Sequence, residues 1–227
     1  MDRPQREDGL RPFVLATDQI ADLNRRAALC DHPIAQLVAV ATLVPCDPYA
    51  LSVARVRGFD RQNDVLVVRG PTGIPARIAL GHAAAAAVRN AIGGRTKGRL
   101  VEDLHGEGIV PDRDTVDYAH ELLSSVEAAP LLFEFTFRSL REGVFAGMLD
   151  GGVPADVAEM QAGLGHMGVG LNSDGLQLVQ QRAASDWWAA TIGVPLPTTI
   201  EFLRDALNQA RWRDRPNGFQ DRLEGGS

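Results

Sequence analysis

The first hundred residues combine short apolar segments with segments of helical spacing. Runs rich in β-branched residues, flanked by Gly, Asp and Pro, predict strands over 13–16, 50–56, 65–68 and 77–80. Apolar residues at helical spacing predict helices over 17–29, 33–43 and 84–92. Strands that alternate with helices favour a parallel sheet with helices on its faces. The pattern of this half is therefore typical of an α/β domain.

Beyond Pro111 the hydrophobic pattern is helical throughout. Apolar residues at helical spacing predict helices over 114–127, 131–149, 154–164, 174–191 and 197–210. Proline or glycine separates these segments, as at Pro130 and Gly151-Gly152. We therefore expect an α/β domain over 1–98, an all-helical domain over 99–215 and a flexible tail over 216–227.

Composition and charge narrow the expected partners. The 227 residues carry a formal net charge of −6 and a pI near 5.4, and no basic stripe is evident, which argues against a nucleic-acid partner. The longest apolar run, 34–44, is too short to cross a bilayer. Cys30 and Cys46 are spaced unlike any metal motif. We therefore expect a cytoplasmic protein with free thiols that binds neither nucleic acid nor membrane.

Two acidic residues, Asp103 and Glu107, are the first candidates for chemistry. If this stretch begins a helix, the two side chains project from one face with Cβ atoms about 6 Å apart. Carboxylates at that distance can share Mg²⁺, which prefers oxygen ligands, although the same spacing is common on solvated helix faces. No GxGxxG motif follows the first predicted strand, and the chain has no GxSxG or HExxH motif. Four isolated histidines are interpreted as surface or structural residues: His82, His105, His120 and His166.

One block of sequence resembles the ketol-acid reductoisomerase family. It comprises residues 73–79, the alanine-rich helix, residues 92–98, which start with the Ile-Gly-Gly that ends this helix, and the Glu-Asp-Leu-His-Gly-Glu stretch over 102–107. The segment 169–186 also resembles the family's segment that ends in a substrate-binding serine, here Ser185. The resemblance implies the remnant of a Rossmann-like domain, followed by a helical domain similar to the C-terminal domains of reductoisomerases and 6-phosphogluconate dehydrogenases.

The chain also departs from this family. It begins beyond the family's glycine-rich pyrophosphate loop, so NAD(P)H is not expected. The positions of the family's histidine and lysine are occupied by Arg57 and Arg69, which can hold a carboxylate but do not transfer protons near neutral pH. The family's second carboxylate pair is missing, although Glu159 and His166 leave a rearranged ligand set open. The resemblance thus implies a single Mg²⁺ or Mn²⁺ ion.

The function implied by the resemblance is a metal-assisted isomerisation or rearrangement of a small hydroxy-keto acid without NADPH reduction. Asp103 and Glu107 would hold the ion, Ser185 would bind the substrate carboxylate, and Arg57 or Arg69 would supply positive charge. A lyase or dehydratase acting on a chelating substrate fits the same residues. The alternative is a non-catalytic binding protein on this scaffold. We expect a homodimer, because the helices over 131–149 and 174–191 are apolar around most of their circumference.

Overall fold

A computed structural model of the chain describes residues 14–69, 73–103, 105–164 and 175–196, apart from the side chain of residue 176. Helices predominate in these residues. Their bounds are α1 (Thr17–Ala28), α2 (Pro33–Leu43), α3 (Pro48–Val53), α4 (His82–Ile92), α5 (Arg113–Ser125), α6 (Phe137–Asp150), α7 (Ala155–Gln161) and α8 (Gly175–Thr191). A 3-10 turn, Val56–Gly58, follows α3.

The strands form a small antiparallel sheet, so the predicted parallel sheet of a Rossmann-like domain is wrong. The sheet comprises β1 (Phe59–Asp60), β2 (Val65–Arg69) and β3 (Pro75–Ala79) in the order β1-β2-β3. Only five residues separate β2 from β3. Parallel neighbours need a crossover of a dozen residues or more, whereas a connection this short joins antiparallel strands.

Several predicted elements are confirmed, and the exceptions have local causes. The helices over 17–29, 33–43 and 84–92 and the strands β2 and β3 occur close to their predicted positions. The strand predicted over 50–56 is instead α3 and the 3-10 turn. Pro48 occupies the first helical position of α3, and the Asp47 side chain accepts the N–H of Ala50 at 3.1 Å, which caps the helix.

Two further predictions, the strand over 13–16 and the start of the helix over 131–149, differ from the structure. Residues 14–16 form no strand, and Phe13 lies outside the described residues. The helix predicted from Leu131 begins only at Phe137, because Thr136 and Ser139 form a reciprocal cap at that point. The helix predicted over 197–210 also lies outside the described residues.

Helix α2 lies at the centre of the core. Seven of its eleven residues are buried, and it packs against α1, α4, α5, α6 and α8. The indole N–H of Trp188 on α8 donates to the Thr42 carbonyl on α2 at 2.8 Å. The hydrophobic core is continuous from Leu15 to Ile192 and includes residues on both sides of position 98. The predicted domain boundary at that position stays a prediction.

The apolar circumference of α6 and α8 is explained by packing within the chain. Helix α6 contacts α1, α2, α3, α7 and α8. Gly147 on α6 and Gly151, which caps this helix, leave room for the indoles of Trp188 and Trp187, and a Cβ at either glycine would overlap the neighbouring ring. These helices therefore give no reason to expect a homodimer. None of the helices in the described parts of the chain is long and apolar enough to span a membrane.

Candidate functional site

Positive charge is concentrated in residues 55–99, which include the sheet and α4. This basic segment contains nine basic and two acidic residues, a net charge of +7 in a chain of net charge −6. Its basic members are Arg55, Arg57, Arg61, Arg69, Arg77, Arg89, Arg95, Lys97 and Arg99. Basic side chains concentrated in one region create a positive electrostatic potential, which attracts a polyanion.

One face of the sheet packs on the hydrophobic core, and the other carries two arginines beside apolar Val65, Val67 and Ala79. Leu66, Val68 and Ile78 are buried in the hydrophobic core. Successive strand residues alternate between faces, and residues paired across strands share a face. Arg77 pairs with Val67, and Arg69 follows Val67 by two positions, so both arginines lie on the face opposite the core.

Some cations of the basic segment have structural roles. Arg95 donates to four backbone carbonyls within residues 91–100 and forms an ion pair with Glu102 at 2.7 Å. Arg89 pairs with Asp64, and its guanidinium lies 5.8 Å from the centroid of the Phe59 ring. These arginines hold α4 against the loops that flank it.

Other cations of the segment face solvent. Arg55, Arg57 and Lys97 are exposed, and their side chains make no hydrogen bond or ion pair with any other residue that the structure describes. Arg69 is also exposed, and the acceptor of its Nη1 among the described residues is the Gly73 carbonyl at 3.2 Å. Exposed guanidinium and ammonium groups that pair with no carboxylate of the described residues are available to bind carboxylate or phosphate oxygens.

Negative charge is concentrated in the segment that follows. Residues 102–134 contain nine acidic residues and one basic residue, a net charge of −8. Within this acidic segment, α5 packs against α1 and α2, whereas the sheet packs against α3, α7 and α8. The charges of α5 and of the sheet therefore lie in different parts of the molecule, although the two segments meet where Glu102 pairs with Arg95. The net charge of the whole chain sums over both segments and therefore does not show the separation. Charge summed over successive windows of the sequence does show it.

The predicted metal ligands, Asp103 and Glu107, lie on a turn of the acidic segment. The expectation that this stretch begins a helix is wrong: the Asp103 carboxylate accepts the backbone N–H groups of His105 at 2.8 Å and Glu107 at 2.9 Å. Gly106 adopts a φ of 81°, which the turn requires. The hydrogen bond from the Glu107 N–H, with that from His105, lowers the pKa of Asp103. The carboxylate is thus engaged by backbone.

The remaining predicted site residues are dispersed. Arg57 and Arg69 belong to the basic segment, whereas Ser185 is buried in α8 with no hydrogen-bond partner for its Oγ among the described residues. Within the same residues, no group of three or more His, Cys, Asp or Glu side chains could hold a metal ion. Assignment of Mg²⁺ or Mn²⁺ to Asp103 and Glu107 stays a prediction. Glu159 lies on α7, and His166 is outside the described residues.

Comparison with known proteins corrects the resemblance to ketol-acid reductoisomerase. The chain is similar to the crystal structure of XerA recombinase, with 16% identity, a TM-score of 0.53 and coverage of 92% of this chain and 67% of that one. It is also similar to the integrase from mycobacterium phage Brujita, with 13% identity, a TM-score of 0.57 and coverage of 88% and 65%. The chain spans about two-thirds of the length of each. No protein-family model and no curated protein matches the sequence.

These similarities concern the fold. A mostly helical domain with a three-stranded antiparallel sheet replaces the predicted Rossmann remnant and helical reductoisomerase domain. The functional predictions that depended on the resemblance are wrong as well. They are the metal-dependent ketol-acid isomerase, the lyase or dehydratase, the small-acid substrate and the dimeric reductoisomerase-like scaffold. The exclusion of nucleic acid is corrected too, because the similar structures are a recombinase and an integrase.

Proposed function

We propose that this chain binds duplex DNA through the basic segment over 55–99. The observation that carries the proposal is the net charge of +7 in that segment, within an otherwise acidic chain. Arg69 and Arg77 share the face of the sheet opposite the core. The similarity of the fold to a recombinase and an integrase supports DNA as the polyanion.

The proposed binding mode is dominated by contacts to phosphates. Each phosphate that a lysine or arginine neutralises releases counterions, so the logarithm of the affinity falls with the logarithm of the salt concentration, by about 0.9 per phosphate contact. The exposed side chains of Arg55, Arg57, Arg69 and Lys97 therefore correspond to a slope of about −3 to −4 if each contacts one phosphate.

The test is a salt titration of binding to a labelled 30-base-pair duplex, followed by fluorescence anisotropy. In the double variant Arg57→Gln/Arg69→Gln, the slope should become less negative by about 2 and the affinity should fall for every duplex sequence. The matched control is Arg113→Gln/Arg138→Gln, which removes two exposed arginines outside the basic segment. Equal losses in both double variants, or no binding by the wild type at 50 mM salt, would overturn the proposal.

A second candidate function is the breaking and rejoining of DNA strands. The chain contains two tyrosines, and Tyr49 is exposed on α3, which packs against β2 of the basic segment. Tyr118 lies on α5 in the acidic segment, where negative charge would repel a phosphodiester. A phenol is more acidic than an aliphatic hydroxyl, and it therefore serves as both nucleophile and leaving group in a reversible transfer.

In the proposed step, the Tyr49 oxygen bonds to phosphorus and loses its proton, while the bond from phosphorus to one deoxyribose oxygen breaks and that oxygen gains a proton. Rejoining is the reverse, so no external energy source is needed. The test uses a labelled duplex with a nick, which traps a covalent adduct on a denaturing gel. An adduct lost in Tyr49→Phe and kept in Tyr118→Phe supports this activity. An adduct equally strong in Tyr49→Phe, or absent from a wild type that binds DNA, rejects it.

A further inference from the structure

His82 and Asp186 form a side-chain pair that joins the beginning of α4 to α8. The Asp186 Oδ2 lies 3.0 Å from His82 Nδ1, and Oδ1 accepts the backbone N–H of His82 at 2.6 Å. The Asp186 side chain is 8% exposed, whereas the His82 side chain is 53% exposed. The carboxylate therefore fixes one nitrogen of the imidazole from inside the protein and leaves Nε2 as its outer polar atom.

The backbone at Gly81 allows this close approach. A Cβ at Gly81 would overlap the carboxylate of Asp186 and the backbone nitrogen of the same residue. Both carboxylate oxygens are used, one by the ring and one by the backbone. A ring nitrogen held by a buried carboxylate has a defined orientation and a defined tautomer, which is how proteins direct the other nitrogen toward a ligand.

The charges around this imidazole are few. Helix α2, which packs against α4, carries no charged residue. Helix α8 contributes Asp186 and Arg182, and α4 itself contributes Arg89, which pairs with Asp64. Arg89 follows His82 by seven residues, so the two side chains share the exposed face of α4. His82 thus shares an exposed face of α4 with one cation of the basic segment, Arg89.

We propose that His82 Nε2 binds a phosphate oxygen, with Asp186 as the positioning residue, and that this contact belongs to the DNA interface. The assignment to DNA rests on the proposed function. When the ring is neutral, the pair has a charge of −1 and Nε2 carries no proton to donate. When the ring is protonated, the pair is neutral and Nε2–H donates to the phosphate. Since histidines change charge between about pH 5 and 8, DNA affinity should fall as the pH rises through that interval.

The first test measures the affinity for the 30-base-pair duplex from pH 6 to 8 at fixed salt. The wild type should lose about fivefold to tenfold in affinity across this range. His82→Gln should bind with the weaker, high-pH affinity throughout. Asp186→Asn places an amide N–H against Nδ1, which moves the ring proton to Nε2 and removes the buried charge. Its affinity should therefore stay near the tighter, low-pH value.

His105→Gln is the matched control, because His105 is exposed on the acidic segment. It should keep the wild-type pH profile. A profile in His82→Gln as steep as that of the wild type would overturn the inference while leaving DNA binding itself intact. His82 is exposed, and His82→Gln retains the backbone contact to Asp186, so this variant does not depend on the stability of Asp186→Asn.

A second measurement separates this contact from the proposed function. Inorganic phosphate is titrated into the wild type at pH 6, and the imidazole resonances are followed by NMR. A saturable shift of the His82 Nε2 signal, absent at pH 8, supports the phosphate contact even if the duplex does not bind. No shift at either pH, together with a flat pH profile for DNA, rejects it.

Discussion

Gln181 on α8 accepts the backbone N–H of Ala79 through its side-chain Oε1, at 2.9 Å. Gln161 on α7 donates its Nε2 to the Ala79 carbonyl at 2.7 Å. Ala79 ends β3, an edge strand of the three-stranded sheet. The two amides therefore bind backbone groups that a fourth strand would otherwise pair, and they close this end of the sheet edge.

Replacing this glutamine tests its contribution to stability. Gln181→Leu should lower the free energy of unfolding by about 1–3 kcal/mol, because the buried N–H of Ala79 loses its acceptor. Urea unfolding followed by circular dichroism measures the change. Gln180→Leu, on the same helix and half-buried, should change the free energy by less than about 0.5 kcal/mol. Similar losses in both variants would show that the Ala79 contact is not the cause.

The contact between α6 and α8 depends on a small residue at position 147. A methyl group there overlaps the fully buried Trp188 ring, so Gly147→Ala should destabilise the protein by about 1–3 kcal/mol through overpacking. Gly94→Ala is the control, since nothing lies within 4 Å of a Cβ at that position. An unchanged urea midpoint for Gly147→Ala would contradict this packing.

The two cysteines should differ in reactivity. Cys46 is 2% exposed, and burial, followed by the nearby charge of Asp47, raises the pKa of its thiol. Cys30 is only partly buried. A thiol reagent at pH 8 should modify one equivalent quickly in native protein, and Cys30→Ser should remove that phase. Cys46 should react only in denaturant. Rapid modification of both thiols in the native state would be inconsistent with the buried position of Cys46.

The turn at Asp103 should be sensitive to acid. Its carboxyl pKa is lowered by hydrogen bonds from the backbone of Glu107 and His105. A lowered folded-state pKa means that the stabilisation is present above the unfolded value, about 3.9, and is lost as the pH falls through the folded value. The protection of the His105 and Glu107 amides, measured as their exchange rate relative to unprotected peptide at the same pH, should therefore fall at low pH. Asp103→Ala should show this loss of protection at pH 7, whereas Asp103→Asn retains an acceptor and should resemble the wild type.

The same two variants test the predicted ion. If Asp103 and Glu107 bind Mg²⁺ or Mn²⁺, excess ion should raise the Tm of the wild type, because binding only to the native state stabilises it. Asp103→Asn keeps the turn but loses a charged ligand, so it should abolish the shift. Identical melting curves for the wild type in ion and in chelator would remove the assignment.

The sequence predicted elements better than their arrangement. Helix α2 and strand β2 follow from apolar spacing and β-branched residues. The antiparallel pairing of β2 with β3 depends on the length of their connection. The parallel sheet was predicted from the alternation of strands and helices, without regard to that length. The predicted strand over 50–56 failed because a proline and an aspartate cap outweighed a weak β preference.

The candidate site was harder to predict, for two physical reasons. Arg57 and Arg69 were identified as sources of positive charge, but the total charge of −6 concealed the segment to which they belong. His82 was interpreted as an isolated residue, because its partner Asp186 is 104 positions away in the chain. Only the packing of α4 against α8 brings the two together.

If the chain binds DNA as proposed, the separation of charge between α5 and the sheet also affects the encounter in solution. A protein of net charge −6 is repelled by a polyanion at long range, yet the segments of +7 and −8 experience forces of opposite sign, and therefore a torque, in the same field. That torque turns the sheet toward the DNA and α5 away from it during the encounter. Collisions should therefore be infrequent but correctly oriented, and added salt should weaken both the repulsion and the alignment.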